Sequence, residues 1–376
     1  MGLIDRVLDN LEERRQKVLD GGINCIPSPF ASFRRDFPGI EQGKYVLVSG
    51  ASKSGKSQIT NYLFLYTPIL YAYQHPDQIR VKIFYFPFEE TPENITLRFM
   101  SYLLYTLSGM KIRISPMDLK STDSDHVLDQ EILDVLKSGE YQSILQFYES
   151  HVHFLSDRNA TGIYKTIERY AEEAGTVHRK TITIENSTTG VKQQKEVFDY
   201  YEPKDPDEYV IIICDHASIQ TPERGMDLRE SINKLSEYMM IARNKYHYTP
   251  VLVQQQGQET NSLEAFKEKK ITPTLMGCAD SRNPPKDVNL MLGITNPFSF
   301  ELPKFPDNAL GYDITKLKGC ARFLNVVLNR DGESNGMLAL YFDGATNFFT
   351  PLPKSTDMAN MKKVYDLIQR NESTRT

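Results

Sequence analysis

The alternation of apolar and polar positions divides the chain into a regular series of elements. Over residues 3–19, Ile4, Val7, Leu8, Leu11 and Val18 recur at spacings of three, four and seven, which predicts an amphipathic helix that Gly21 and Gly22 end. Residues 24–43 hold three prolines and two glycines and predict an irregular approach. A short apolar run, KYVLVSG (44–50), reads as a strand and leads through a Gly/Ser loop into a helix. VKIFYFPFEE (81–90) is a second strand, expected to lie beside the first, and a helix follows from about Pro92 to Leu107. Two helices around EILDVL and SILQFY, a strand at 151–157 and a helix at 162–175 come next. A polar hairpin with the turn STTG interrupts the series over 176–208. YVIIICD (209–215) is the most apolar strand of the chain, as a central parallel strand should be. A long helix, the strand PVLVQQQ (250–256), a polar loop (257–286), three strands and a terminal helix at 357–369 complete the chain.

Strand and helix alternate throughout. The expected class is therefore α/β: a mostly parallel central sheet with helices on both faces. A length of 376 residues allows about two domains. The unbroken alternation instead predicts an N-terminal helix (1–22), one core (23–353) with the hairpin inserted, and a C-terminal helix and tail (354–376).

Composition changes this picture little. Apolar residues are 40% and charged residues 25%, which excludes collagenous and disordered classes. The net charge of −5 excludes a globally basic nucleic-acid coat, but not a local site on a few loops. The four cysteines form no CxxC, so a disulfide framework is not expected. The N-terminus has no signal-peptide pattern, and no apolar stretch is long enough to span a bilayer. A cytoplasmic protein without a membrane partner is the expectation.

The chemistry concentrates at Gly50–Ser57, GASKSGKS, which fits G-x-x-x-x-G-K-[ST] between strand and helix. Small residues let backbone N–H groups wrap phosphates, and the helix N-terminus adds partial positive charge. The expected ATP-binding set is Gly50, Ser52, Lys53, Ser54, Gly55, Lys56, Ser57 and Gln58. Lys56 would pair with phosphate oxygens, and Ser57 would ligate Mg²⁺. Asp215, after five apolar residues, is the second expected Mg²⁺ residue. Glu89 or Glu90 is the expected base that orients water. A glutamine among Gln254, Gln255 and Gln256 is placed to sense the γ-phosphate.

These residues carry a resemblance. The chain resembles the RecA-like ATPase domain of DnaB-type replicative helicases of the phage kind, in five stretches in the same order over about 25–353. NCIPSPFASFRRDFPGIEQGKYVLVSG resembles the family's approach to its phosphate-loop strand. YFPFEETPENITLRFMS resembles its strand ending in the catalytic glutamate, which singles out Glu89. YVIIICDHASIQ resembles its I-D-Y-L-Q-L stretch, with His216 in place of tyrosine. ITPTLMGCADSRNPPKDVNLML resembles a stretch with a DNA-facing loop, aligning Asp280 and Arg282. RFLNVVLNRDGESNGMLALYFDGATNFFTPL resembles its closing hairpin and places Arg330 at the arginine finger, with Leu328 where a lysine is usual. The glutamine register leaves Gln255 or Gln256 as the sensor.

The resemblance implies an ATP- and Mg²⁺-dependent helicase that forms a homo-oligomeric, hexameric ring on single-stranded DNA, with a primase, loader or polymerase as further partner. Arg330 would act in trans. Loops 217–230 and 257–286 would hold DNA, with Lys267, Lys269, Lys270 and Arg282 as its expected contacts, although the second loop nets only +1. Helix 3–19 fits a linker that docks on the next subunit, and the family's N-terminal helical and primase domains have no counterpart in these residues. The alternatives are a RecA/RadA-like recombination ATPase and an ATP-regulated assembly or loading module.

Overall fold

The computed structural model describes residues 2–185, 192–257, 271–334 and 336–373. Among these, nine strands form one sheet: β1 (Val46–Gly50), β2 (Arg80–Pro87), β3 (Val152–Phe154), β4 (Glu208–Asp215), β5 (Thr249–Gln255), β6 (Leu290–Thr295), β7 (Ala321–Asn329), β8 (Met337–Asp343) and β9 (Phe348–Pro351). Their spatial order is β9-β8-β7-β6-β1-β5-β4-β2-β3. Every neighbouring pair from β6 to β3 is parallel, and the pairs from β6 to β9 are antiparallel. The mostly parallel α/β sheet is as the alternation predicts.

One expectation fails. β2 does not lie beside β1; β5 and β4 stand between them. The apolar period identifies a strand and its faces but carries no pairing information. The slots beside β1 are taken by β5 and β6, which come much later in the chain.

The strand alternation sorts side chains between two cores. Val46, Val48, Ile83, Tyr85, Ile211 and Ile213 pack with α2 (Lys56–Asn61), α3 (Thr67–Gln74) and α4 (Pro92–Leu107). Leu47, Phe84, Phe86, Ile212, Cys214 and Leu252 face the other way, against helices Ala160–Ala174 and Leu228–Tyr246. Both faces are covered, which is why β4 reads as a continuous apolar run. A third cluster joins β7 and β8 to the terminal helix Met358–Ser373 through Phe323, Tyr341, Met361 and Ile368.

Helices α2 and α3 are joined by a π-helical turn, Tyr62–Tyr66. Pro68 has no N–H for the carbonyl of Phe64, and its ring crowds that carbonyl, so the turn widens just before it. Residues Gly175–Glu185 and Lys192–Pro203 pair as a long antiparallel ribbon outside the sheet. The N-terminal helix α1 spans Leu3–Leu19 and is held near its end by ion pairs of Arg14 with Glu41 and Lys17 with Asp207. Its apolar stripe, Ile4, Val7, Leu8 and Leu11, is more than half exposed. No helix among the described residues is long and apolar enough to cross a membrane.

Candidate active site

The phosphate-loop segment owes its shape to two glycines. A Cβ on Gly50 would meet Ser54 Oγ at 2.4 Å and the Ile294 carbonyl at 2.5 Å, so only glycine lets β6 and the loop close together. Gly55 caps α2 with φ of +100°, a conformation that also favours glycine. Ser54 N–H donates to Ala51 O (3.3 Å) and Ile59 N–H to Gly55 O (2.9 Å), so the loop turns directly into the helix. Lys56, at the first helical position, is buried and donates Nζ across the loop to Ala51 O at 2.9 Å. Burial lowers its pKa, opposed by the negative charges of Asp215 and Glu89. Ser52 and Lys53 form the exposed tip, and Ser57 and Gln58 are half-buried on the first turn.

Ser57 Oγ donates to Asp215 Oδ1 at 3.1 Å. The hydroxyl and carboxylate expected to hold Mg²⁺ thus meet at one point, brought there by α2 and the end of β4. Asp215 is buried, and desolvation pushes its pKa up to about 6, opposed by hydrogen bonds from Ser57 and Tyr85 and reinforced by Glu89 and Glu90. The peptide that follows, Asp215–His216, is cis. His216 is buried too, and desolvation with the nearby Lys56 charge lowers its pKa to about 4. An oxygen pair of this kind, facing a desolvated lysine, fits a hard divalent cation beside a phosphate.

Sequence reasoning missed the support behind Asp215. The Tyr85 hydroxyl lies 3.2 Å from Asp215 Oδ2 and 2.9 Å from Asn61 Oδ1, so β2, α2 and β4 are tied through one phenol. No local pattern signals a contact among three elements so far apart in the chain.

The two glutamates separate. Glu90 pairs with Arg98 at 2.8 Å, nearly two turns into α4. Glu89 is exposed and makes no hydrogen bond or ion pair among the described residues, yet its charge acts on both Lys56 and Asp215. It is the acid that faces the site.

The three glutamines separate as well. Gln254 is buried and donates to the carbonyls of Ala279 and Ser281. Gln256 is buried and bridges Ser49 Oγ (2.8 Å) to the backbone of Thr274. Gln255 alternates to the open side and, with Ser218, Arg229, Asp280 and Arg282, lines a recess of about 750 Å³ at the phosphate-loop edge of the sheet. The recess is bounded by the chain folding back on β5, with Ala279 N–H donating to Gln255 O at 2.8 Å. Gln255→Ala should reduce hydrolysis at least about tenfold while leaving the melting temperature nearly unchanged. Gln256→Ala should instead destabilise by about 1–3 kcal/mol, because it removes a buried side chain together with its hydrogen bonds to Ser49 Oγ and the Thr274 backbone. Melting curves and turnover on the two variants check this; equal melting losses would refute the separation.

Arg282 is exposed beside that recess. Lys267, Lys269 and Lys270 lie outside the described residues.

Arg330 sits at the opposite edge of the sheet. Leu290 pairs with both Asn329 and Val46, so the end of β7 lies beside the start of β1, whereas the phosphate loop follows its end. At ~3.3 Å per residue the separation is roughly 15 Å, beyond the reach of one side chain. Arg330 donates Nε to Val288 O at 2.7 Å and Nη2 to Lys286 O, and it is exposed. It does not join the site of its own chain.

The chain has the RecA-like P-loop NTPase fold. The solved structure of a DnaB-like replicative helicase, described with its interactions with primase, aligns over 93% of this chain and 67% of that chain, with 12% identity and a TM-score of 0.59. Two further structures match with lower scores. The RadB recombinase aligns over 84% of this chain and 94% of its own at 10% identity and a TM-score of 0.41. A KaiC-like protein from the hyperthermophilic archaeon Pyrococcus horikoshii OT3 aligns over 88% and 99% at 11% identity and a TM-score of 0.44. No protein-family model and no curated protein matches the chain in sequence.

Proposed function

We propose that this protein is an ATP- and Mg²⁺-dependent motor that assembles into a ring and translocates on single-stranded DNA, a DNA helicase of the replicative kind. The observation that supports the reading is the placement of the proposed site residues at opposed edges of the sheet. Lys56, Ser57, Asp215 and Glu89 converge at one edge of the sheet, and Arg330 is exposed at the other. A head-to-tail contact between copies brings the two edges together, and repeated contacts of this kind close into rings when the rotation allows.

Bound Mg²⁺·ATP supplies the transferable phosphoryl group and the metal charge that offsets its oxygens. Lys56 exchanges its Ala51 carbonyl for phosphate oxygens. Ser57 and Asp215 would hold the cation. Glu89, unpaired and facing that pair, orients water and takes its proton. Gln255, between loop and recess, couples the state of the site to the loop beyond it. Arg330 from the neighbouring subunit stabilises charge on the transferring group, so the site is complete only when two subunits close.

Arg282 and Arg229, with Lys267, Lys269 and Lys270 of the sequence between β5 and Arg282, are the proposed contacts to the DNA backbone. The exposed stripe of α1 would dock on the adjacent subunit, which gives residues 1–22 a linking role distinct from the core (23–353) and the C-terminal segment (354–376). A hexamer is the expected ring, and a primase, loader or polymerase the expected partner.

A forked duplex with single-stranded tails tests the reading. Wild-type protein with ATP and Mg²⁺ should form closed rings in electron microscopy and separate the fork, with hydrolysis stimulated by the tails. Helical filaments would favour a recombination ATPase. Hydrolysis without strand separation would favour an assembly or loading module.

A further inference from the structure

Arg322 opens β7 at the phosphate-loop edge of the sheet and is 7% exposed. Its guanidinium lies over the Phe342 ring at 5.1 Å. Nη1 donates to Gly319 O at 2.7 Å and Ala321 O at 2.8 Å. Nε is buried and has no acceptor among the described residues. No carboxylate among the described residues pairs with Arg322. Burial lowers its pKa to about 10, which leaves it charged at neutral pH. A buried cation bonded only to two carbonyls at one nitrogen is costly unless an anion completes it.

Nε lies against the phosphate loop. A Cβ built on Gly55 would lie 3.2 Å from Arg322 Nε, so the donor is packed against the residue that caps α2 and precedes Lys56. The same flank holds further buried polar atoms without partners: Ser54 Oγ in the loop, and Thr295 Oγ1 and Asn296 Oδ1 at the end of β6. The opposite flank, at the ends of β4 and β2, carries the acids Asp215 and Glu89. The loop is therefore bordered by acids on one side and, on the other, by a buried cation with no carboxylate partner among the described residues.

We propose that Arg322 is a second cation of the nucleotide site, supplied by the same subunit, whose Nε donates to the phosphates seated against the N-terminus of α2. The ligand class is a nucleoside di- or triphosphate, and the inference rests on the phosphate-loop reading of Gly50–Ser57. Lys56 approaches the phosphates from within the loop, Arg322 from the β6–β7 side, and Arg330 belongs to the neighbour. Because the contact is to phosphates beside the helix start, it is made by ADP as well as ATP, and not by adenosine.

The test is equilibrium binding of ADP and of adenosine to the full chain, with melting curves of each variant in the absence of ligand. A charge-assisted hydrogen bond corresponds to a loss of ADP affinity of roughly 10- to 100-fold in Arg322→Met, with adenosine unchanged and Arg322→Lys intermediate. ADP affinity within about threefold of wild type would overturn the proposal, and so would an equal loss for adenosine, which would mark a base or ribose contact. Lys56→Ala is the control for the underlying reading. If wild type binds no ADP, or Lys56→Ala binds it unchanged, the phosphate-loop reading itself fails. If Arg322→Met does not fold, a structure of wild type with ADP decides: a phosphate oxygen about 3 Å from Nε supports the assignment, and its absence overturns it.

Discussion

Lys56→Ala should lose ATP hydrolysis by a factor on the order of 10³, measured as phosphate release at saturating Mg²⁺, and so should Arg330→Ala. The two losses have different origins. Lys56 is buried, already desolvated, and held 2.9 Å from a loop carbonyl, so its charge meets the phosphates in a region where water does not screen it. Arg330 lies at the far edge of the same sheet and can contribute only across a subunit contact. Mixing the two inactive variants should therefore restore activity. In a randomly mixed ring, roughly a quarter of the interfaces combine Lys56 from an Arg330→Ala subunit with Arg330 from a Lys56→Ala subunit. Recovery toward that fraction of wild-type turnover is the expected result. No recovery would show that sites are not shared between subunits.

Asp215→Asn should abolish Mg²⁺-dependent hydrolysis and yet stabilise the nucleotide-free protein at pH 8. Burial raises the Asp215 pKa from 3.8 to about 6. A folded-state pKa above the unfolded value favours the fold at low pH, where the group is protonated in both states. That advantage is lost as pH rises through 6. At pH 8 the ionised carboxylate costs the fold about 3 kcal/mol. Asparagine removes this cost, still accepts from Ser57, and offers its amide to the Tyr85 hydroxyl. For a chain of this size the gain corresponds to roughly 4 °C in melting temperature at pH 8, shrinking to about a third of that near pH 4.5. Differential scanning calorimetry at the two pH values checks it; a variant less stable than wild type at pH 8 would show that the charge is compensated in the fold. The same titration implies weaker Mg²⁺ binding as pH falls below about 6, because the cation requires the ionised carboxylate.

The sequence by itself determined the elements whose cause is local. The strand, loop and helix around Gly50–Ser57 depend on a positive φ at Gly55, a missing Cβ at Gly50 and hydrogen bonds within a few residues, all encoded in eight consecutive positions. The apolar strands and the amphipathic helix Leu3–Leu19 were legible for the same reason, since side-chain period follows backbone geometry. Only the tertiary structure decided what depends on which strands become neighbours. It set β5 and β4 between β1 and β2. It buried Gln254 and Gln256 in hydrogen bonds and left Gln255 half-buried at the recess, whose lining Gln256 shares, and it tied Glu90 to Arg98, leaving Glu89 exposed. It joined Tyr85 and Asn61 behind Asp215, and brought Arg322 against Gly55 across 267 residues of chain. Pairing and burial are long-range properties: the period tells which face a residue takes, but only the assembled sheet tells what that face meets.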